Sequence, residues 1–249
     1  MSNTTTIFRK LFDELHISLE ESLGLSNKKT VFDDIVGHDD IKQIFRMALY
    51  SEKPVHILLV GPPGTSKTMF LEKILNQDRN NSYFTLGAHS SKAGMVNALF
   101  ERRPKYLLID EIEHMPAADQ TVLLSLMQSG IISETKVRKT RSTQMKTWIF
   151  ATSNGTKKLS DALLSRFMVI ELEKYSYEEF KDISVQLLVN SQEEGVEFDL
   201  ANIIAEEVYK NFKNSNIRDV IKIGRIARNR DDVLMIVKRL MKNNAEEEN

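Results

Sequence analysis

The chain has 249 residues, 41% hydrophobic and 28% charged, with a formal net charge of -1 at pH 7. That length is enough for one large domain plus a smaller one, or two of modest size, and argues against a single small module. The absence of cysteine excludes disulfides, thiolate zinc sites and a cysteine nucleophile, and near-neutral charge gives no global pull toward nucleic acid, so any basic surface must be local.

Residues 7–23 place Phe8, Leu11, Phe12, Leu15, Leu19 and Leu23 three or four apart, which predicts an N-terminal amphipathic helix, with a linker closing the segment at about residue 26. No apolar run approaches the roughly 20 residues of a bilayer-spanning helix. The N-terminus also lacks the continuous apolar stretch of a secretory signal, so a cytoplasmic protein with no membrane partner is expected. From residue 27 to 172 the pattern turns to short apolar runs, "HILLV", "YFTL", "YLLID", "WIFATS" and "FMVIEL", separated by helical stretches. Five such runs predict a parallel sheet covered by helices on both faces, an α/β fold. From 173 to 243 four segments carry helical periodicity and predict a small helical domain. The acidic 244–249 stretch reads as a disordered tail.

The segment "GPPGTSKTM", residues 61–69, follows the first apolar run and opens a helix, the layout of a phosphate-binding loop. Unpaired backbone N–H groups and the positive end of the helix dipole suit phosphate oxygens there. Gly61 and Gly64 let the backbone curl, Lys67 reaches terminal phosphates, and the Thr68 hydroxyl suits magnesium. Ser66 departs from the usual pattern, which has glycine before the lysine. The run "YLLID" then ends in Asp110 and Glu111, two carboxylates at the carboxyl edge of the sheet, where α/β ligands bind. Asp110 suits the magnesium shell and Glu111 an attacking water, and the same pair would also cap a following helix.

The ordered set "FDDIVGHDDIKQIF", "GPPGTSKT", "LLIDEIEHM", "WIFATSN", "DALLSRF" and "NIRDVIKIGRIA" resembles the AAA+ ATPases. That resemblance implies a P-loop αβα sandwich with a helical lid, binding ATP or ADP with Mg. It extends the nucleotide site to Ile35, Val36 and Gly37 against adenine and to Pro62, Pro63, Thr65, Ser66 and Met69 around the loop. It further implies Asn154 as sensor 1, Arg218 as sensor 2, and Arg166 as an arginine finger acting in a neighbouring subunit of a homo-oligomeric, hexameric ring. Each has a plainer alternative: a turn at 35–37 and at Asn154, a surface arginine at Arg166, a solvated basic stripe around Arg218.

Between Ile131 and Thr147, Lys136, Arg138, Lys139, Arg141 and Lys146 face Glu134 alone in a predicted hairpin, which would track a phosphate backbone or simply be solvated. "FDDIVGHDDIK" and "AGMVNALFERRPKYLLIDEIEHM" resemble the RuvB-like branch-migration motors, while the small residue before Lys67 resembles MoxR-like ATPases. The first resemblance implies a DNA translocase or helicase. The second implies a chaperone that remodels a protein client.

Overall fold

In the computed structural model, residues 31–89, 91–136, 139–190, 195–212 and 215–246 are described, without the side chains of 135, 136, 139 and 242–246. The expected N-terminal helix, Arg138, the side chains of Lys136 and Lys139, and the last three residues of the expected tail lie outside them. The chain divides into two units, Met1–Asp34 and Ile35–Asn249. Of the first, residues 31–34 form a turn.

Five strands form one parallel sheet: β1 (Ile57–Val60), β2 (Ser82–Leu86), β3 (Tyr106–Asp110), β6 (Trp148–Ser153) and β7 (Met168–Glu171), in the spatial order β2-β3-β6-β1-β7. β1, β3 and β6 are buried along their whole length, as strands covered on both faces must be. Helices α1 (Asp39–Leu49), α2 (Lys67–Gln77), α3 (Lys92–Arg102), α4 (Ala117–Ser129) and the short α5 (Asp161–Leu164) cover it. Phe45 of α1 packs on Phe70 of α2 and Phe150 of β6, with ring centroids 4.8 and 5.3 Å apart. A second core joins Leu58, Leu107, Ile109, Ile149 and Ala151 to Leu99, Leu123, Leu126 and Leu163.

The alternation of strand and helix read from the sequence is therefore the observed one. The hairpin is present too: β4 (Ile131–Lys136) pairs antiparallel with β5 (Lys139–Gln144), from Ile131 opposite Gln144 to Lys136 opposite Lys139.

The helical part has α6 (Tyr177–Val189), α7 (Phe198–Asn211), α8 (Ile217–Ile226) and α9 (Arg230–Glu246). α6 starts with a capping box, in which Ser176 and Glu179 satisfy each other's backbone N–H, and the Asn216 side chain accepts from Asp219 N–H at the start of α8. Phe180, Ile183, Ala201, Ile204, Val208, Val220, Ile223 and Val233 form its own core, against which Val36 packs. α9 continues through Glu246, so the first residues of the expected disordered tail are helical.

Register decides where the chemistry can be. Val60 is level with Ser153 and with Glu171, and Leu86 with Asp110. The residues just beyond these strand ends, Gly61, Glu111, Asn154 and Leu172, consequently lie along one edge of the sheet.

Candidate active site

The phosphate loop runs from Gly61 to the start of α2. Lys67 is 8% exposed, and its Nζ donates to the Gly61 and Pro62 carbonyls, both at 2.7 Å. Burial pushes its pKa below the ordinary lysine value; the carboxylates of Glu113, Asp110 and Glu111 oppose the shift, and the Arg218 guanidinium adds to it. Arg218, exposed on α8, is thus close enough to act on Lys67 electrostatically. Gly64 has φ +85°, and a Cβ there would stand 2.8 Å from Asn216 Cβ, so glycine lets the loop nest under the start of α8. Ser66 is also left-handed, with φ 61° and ψ 11°.

Thr68 Oγ1 donates toward both Asp110 carboxylate oxygens at 3.2 Å. Asp110 is 8% exposed and also accepts from the Thr152 hydroxyl, which itself accepts the Glu111 N–H at 3.0 Å. A hydroxyl and a carboxylate facing each other are hard oxygen donors of the type magnesium takes alongside phosphate oxygens and water, so the pair fits that ion. Among the described residues no group of three or more His, Cys, Asp or Glu could hold a metal by itself.

Glu111 has left-handed backbone, φ 54°, and an exposed side chain. A Cβ on Gly87 would run into its carbonyl, so glycine there lets two turns touch at the acidic end of the sheet. The left-handed residue starts a single 3-10 turn, Ile112–His114, which directs Glu113 inward. Glu113 is 8% exposed, and its Oε1 accepts both the backbone N–H and the side-chain amide of Asn154, each at 2.9 Å. Its other oxygen, Oε2, is buried without a partner. Burial would raise its pKa, but the Asn154 N–H groups and other hydrogen bonds prevail and hold it below the ordinary glutamate value. A carboxylate only accepts, so it fixes which way round the Asn154 amide sits: the NH2 faces Glu113 and Oδ1 faces away. Glu113 is a site residue that the sequence reading missed. Its one signal was a third acid two places after the expected pair.

Ile35 is buried, Val36 packs on the helical core, and Gly37 has φ +71°. Gly37 lies beside Tyr175, which lines a cavity of about 530 Å³ between the loop residues Pro62, Pro63, Gly64 and Thr65 and the aromatic side chains Phe180, Tyr209 and Phe212.

Two groups of expected residues stand apart. Arg166 follows α5, and its guanidinium donates to the Gln128 side chain at 2.9 Å and the Ala162 carbonyl at 2.5 Å rather than to any residue of the loop. In the hairpin, Arg141 is engaged within its own chain. Nε donates to Glu134 at 2.7 Å, Nη2 donates to Asn97 at 2.5 Å, and the guanidinium lies 4.2 Å from the centre of the Phe100 ring. Lys146 is exposed.

Residues 57–174 match the model of the ATPase family associated with various cellular activities, AAA. The chain is 30% identical over 177 residues to the Holliday junction branch migration complex subunit RuvB of Kosmotoga olearia, an alignment that covers 66% of this chain and 52% of that protein. It is 28% identical over 167 residues to the DNA replication licensing factor mcm2 of Xenopus tropicalis, covering 55% of this chain and 19% of the other. The chain thus spans about half the length of the RuvB relatives it matches. Among solved structures, the Thermotoga maritima RuvB Holliday junction branch migration motor superposes with a TM-score of 0.63 at 26% identity, covering 84% of this chain and 71% of that one. With a phosphate loop at the carboxyl edge of a five-stranded parallel sheet and a helical domain after it, residues 57–174 are an AAA ATPase domain, in a chain similar to RuvB.

Proposed function

We propose that this chain hydrolyses ATP with magnesium and that, assembled with further copies of itself into a ring, it uses the energy to move or unwind DNA. The observation that carries the hydrolytic part is the convergence of Lys67, the Thr68–Asp110 pair, Glu111 and the Glu113-held Asn154 at one sheet edge.

Lys67 uses two of its three N–H groups on loop carbonyls, which hold Nζ at the mouth of the loop with a donor left for a terminal phosphate. Thr68 and Asp110 would hold magnesium, which neutralises charge developing on the phosphates. Glu111, exposed at the edge, accepts a proton from the attacking water, and Asn154 Oδ1 helps to place that water. Arg218 approaches the γ-phosphate from the helical lid of the same subunit. Arg166, bonded away from its own loop, enters the site of a neighbouring subunit, for which six copies is our expectation. Adenine lies between the 35–37 segment and the aromatic wall of the cavity.

DNA as substrate is supported by the relatives, since RuvB is named for Holliday junction branch migration and mcm2 for DNA replication. A cytoplasmic location accords with this, and no described helix is long and apolar enough to cross a membrane. One observation favours a MoxR-like remodeller of a protein client instead: Arg141, central to the basic hairpin, is engaged with Glu134, Asn97 and Phe100.

Steady-state ATP hydrolysis separates the two readings. It is measured alone and with single-stranded, duplex and four-way-junction DNA at two salt concentrations, with Glu111→Gln as the blank. Stimulation by DNA that falls as salt rises is the expected result. Robust turnover indifferent to every DNA would replace the DNA motor by the protein remodeller, and turnover no higher than the blank would refute hydrolysis through Glu111.

A further inference from the structure

Ser66 occupies the place before the lysine where the loop pattern has glycine, and the structure shows what its side chain does. It holds the N-cap position of α2 with left-handed backbone, a conformation costly for any residue bearing a Cβ. A serine so placed normally accepts an N–H from the first turn of its helix. Here it makes no such bond, and its Oγ lies 2.8 Å from the Tyr175 hydroxyl.

Tyr175 is 9% exposed and lies between the end of β7 and the start of α6, at the entrance to the helical lid. The same hydroxyl is 3.2 Å from His38 Nε2, and the two rings are 5.1 Å apart. His38 repeats the pattern of Ser66: an N-cap residue, here of α1, with left-handed backbone and no side-chain cap bond. Four non-glycine residues among those described have positive φ, and two of them meet on this one hydroxyl. With His38 neutral, a consistent order is Ser66 donating to Tyr175 and Tyr175 to His38. Three segments distant in sequence are thereby joined: the phosphate loop, the turn beside the adenine segment, and the lid entrance. The side chain of Ser66 points to Tyr175, so the groups that face a phosphate, Lys67 and Thr68, are unobstructed.

We propose that Ser66 is a positioning residue whose hydroxyl, through Tyr175 and His38, fastens the phosphate loop to the lid entrance and so holds the nucleotide cavity in its binding arrangement before a nucleoside di- or triphosphate arrives. The proposal rests on the nucleotide-binding reading above. Its physical content is preorganisation. Where the binding-competent arrangement is only partly populated, apparent affinity falls by the populated fraction. Ser66 acts through its one bond to Tyr175, so losing the Tyr175 hydroxyl removes that contribution together with the contact to His38.

The test is ADP affinity, by calorimetry on the full chain, for wild type, Ser66→Ala, Tyr175→Phe and the double variant, with Lys67→Ala as the non-binding control. Phenylalanine keeps the ring that lines the cavity and lies against His38. Ser66→Ala is expected to weaken ADP about 5-fold, which at 1.36 kcal/mol per tenfold is about 1 kcal/mol, the net worth of one neutral hydrogen bond, and Tyr175→Phe, which also loses the contact to His38, at least as much. The double variant is expected to be no weaker than the worse single. In steady state, KM for ATP should rise by a larger factor than kcat falls, whereas general loosening of the site would depress kcat at least as much. Ser66→Gly, which loses the hydroxyl and relieves the backbone, is expected to match Ser66→Ala and serves if the alanine variant fails to fold. Unchanged affinity in the single variants, or losses that multiply in the double, would overturn the proposal. A folded wild type that fails to bind ADP would overturn the nucleotide reading itself, and this inference with it.

Discussion

Replacing Glu113 by alanine tests whether a residue two places beyond the expected catalytic glutamate governs turnover. In the native protein one buried oxygen, Oε1, receives both N–H groups of Asn154 at 2.9 Å. Hydrogen bonds to a charged group contribute roughly 1.5–3 kcal/mol each. Glu113→Ala leaves the Asn154 amide free to rotate, and forfeiting one such bond's worth of orientation at 1.36 kcal/mol per tenfold corresponds to a fall in kcat of about 10- to 150-fold. Binding should behave differently. Glu113 is the strongest of the carboxylate influences on Lys67, so its removal takes negative charge away from the phosphate site, and ADP should bind as tightly as to wild type or more tightly. Glu113→Gln is the companion variant, because the glutamine carbonyl can still accept both N–H groups; its kcat should fall less than 10-fold. Single-turnover hydrolysis of ATP and ADP titrations on the same preparations give both quantities. Equal kcat in Glu113→Ala and wild type would refute the reasoning. So would a glutamine variant as slow as the alanine one, which would make the charge rather than the orientation of Asn154 responsible.

Other outcomes follow from the same geometry. His56 is 8% exposed and its Nδ1 accepts the Ile149 N–H at 3.2 Å; burial lowers its pKa despite the opposing pull of the Met127 carbonyl, and burial lowers that of His38 too. The unfolded chain therefore takes up these protons at about pH 6.5 while the folded protein does not, so stability is complete above that pH and falls as pH drops below it. Urea midpoints at pH 7.5 and 5.5 should show that loss, and it should be smaller in His56→Asn. Arg166→Ala is expected to bind ATP but hydrolyse it at least 100-fold more slowly, and mixing it with Lys67→Ala should restore activity at hybrid interfaces; no restoration would remove Arg166 from the finger role. Gly64→Val should cost at least tenfold in ADP affinity, since φ +85° and the neighbouring Asn216 both reject a branched side chain, and unaltered affinity would show that the loop and α8 need not approach.

The sheet and the phosphate loop were legible because their signals are local. A buried parallel strand is a short apolar run, and glycine, lysine and threonine at fixed spacing carry their chemistry wherever the fold puts them. Residues whose role depends on a distant partner were not legible. Nothing near Ser66 in sequence points to Tyr175, 109 positions away. Glu113 lies in "DEIEHM", which reads as a charged turn until the left-handed backbone at Glu111 rotates it into the core. Arg141 counted as one of five cations in a hairpin, and only the packing of that hairpin on α3 shows its charge engaged by Glu134 and Asn97.

The Arg141 contacts also define a mechanical path. With one bond to Glu134 across the hairpin, a second to Asn97 and a face on Phe100, the guanidinium rivets the hairpin to α3. Helix α3 ends at Arg102, and after three intervening residues β3 begins its run to Asp110. The hairpin is thereby tied to the helix that leads directly into the strand carrying Asp110, the acid paired with Thr68.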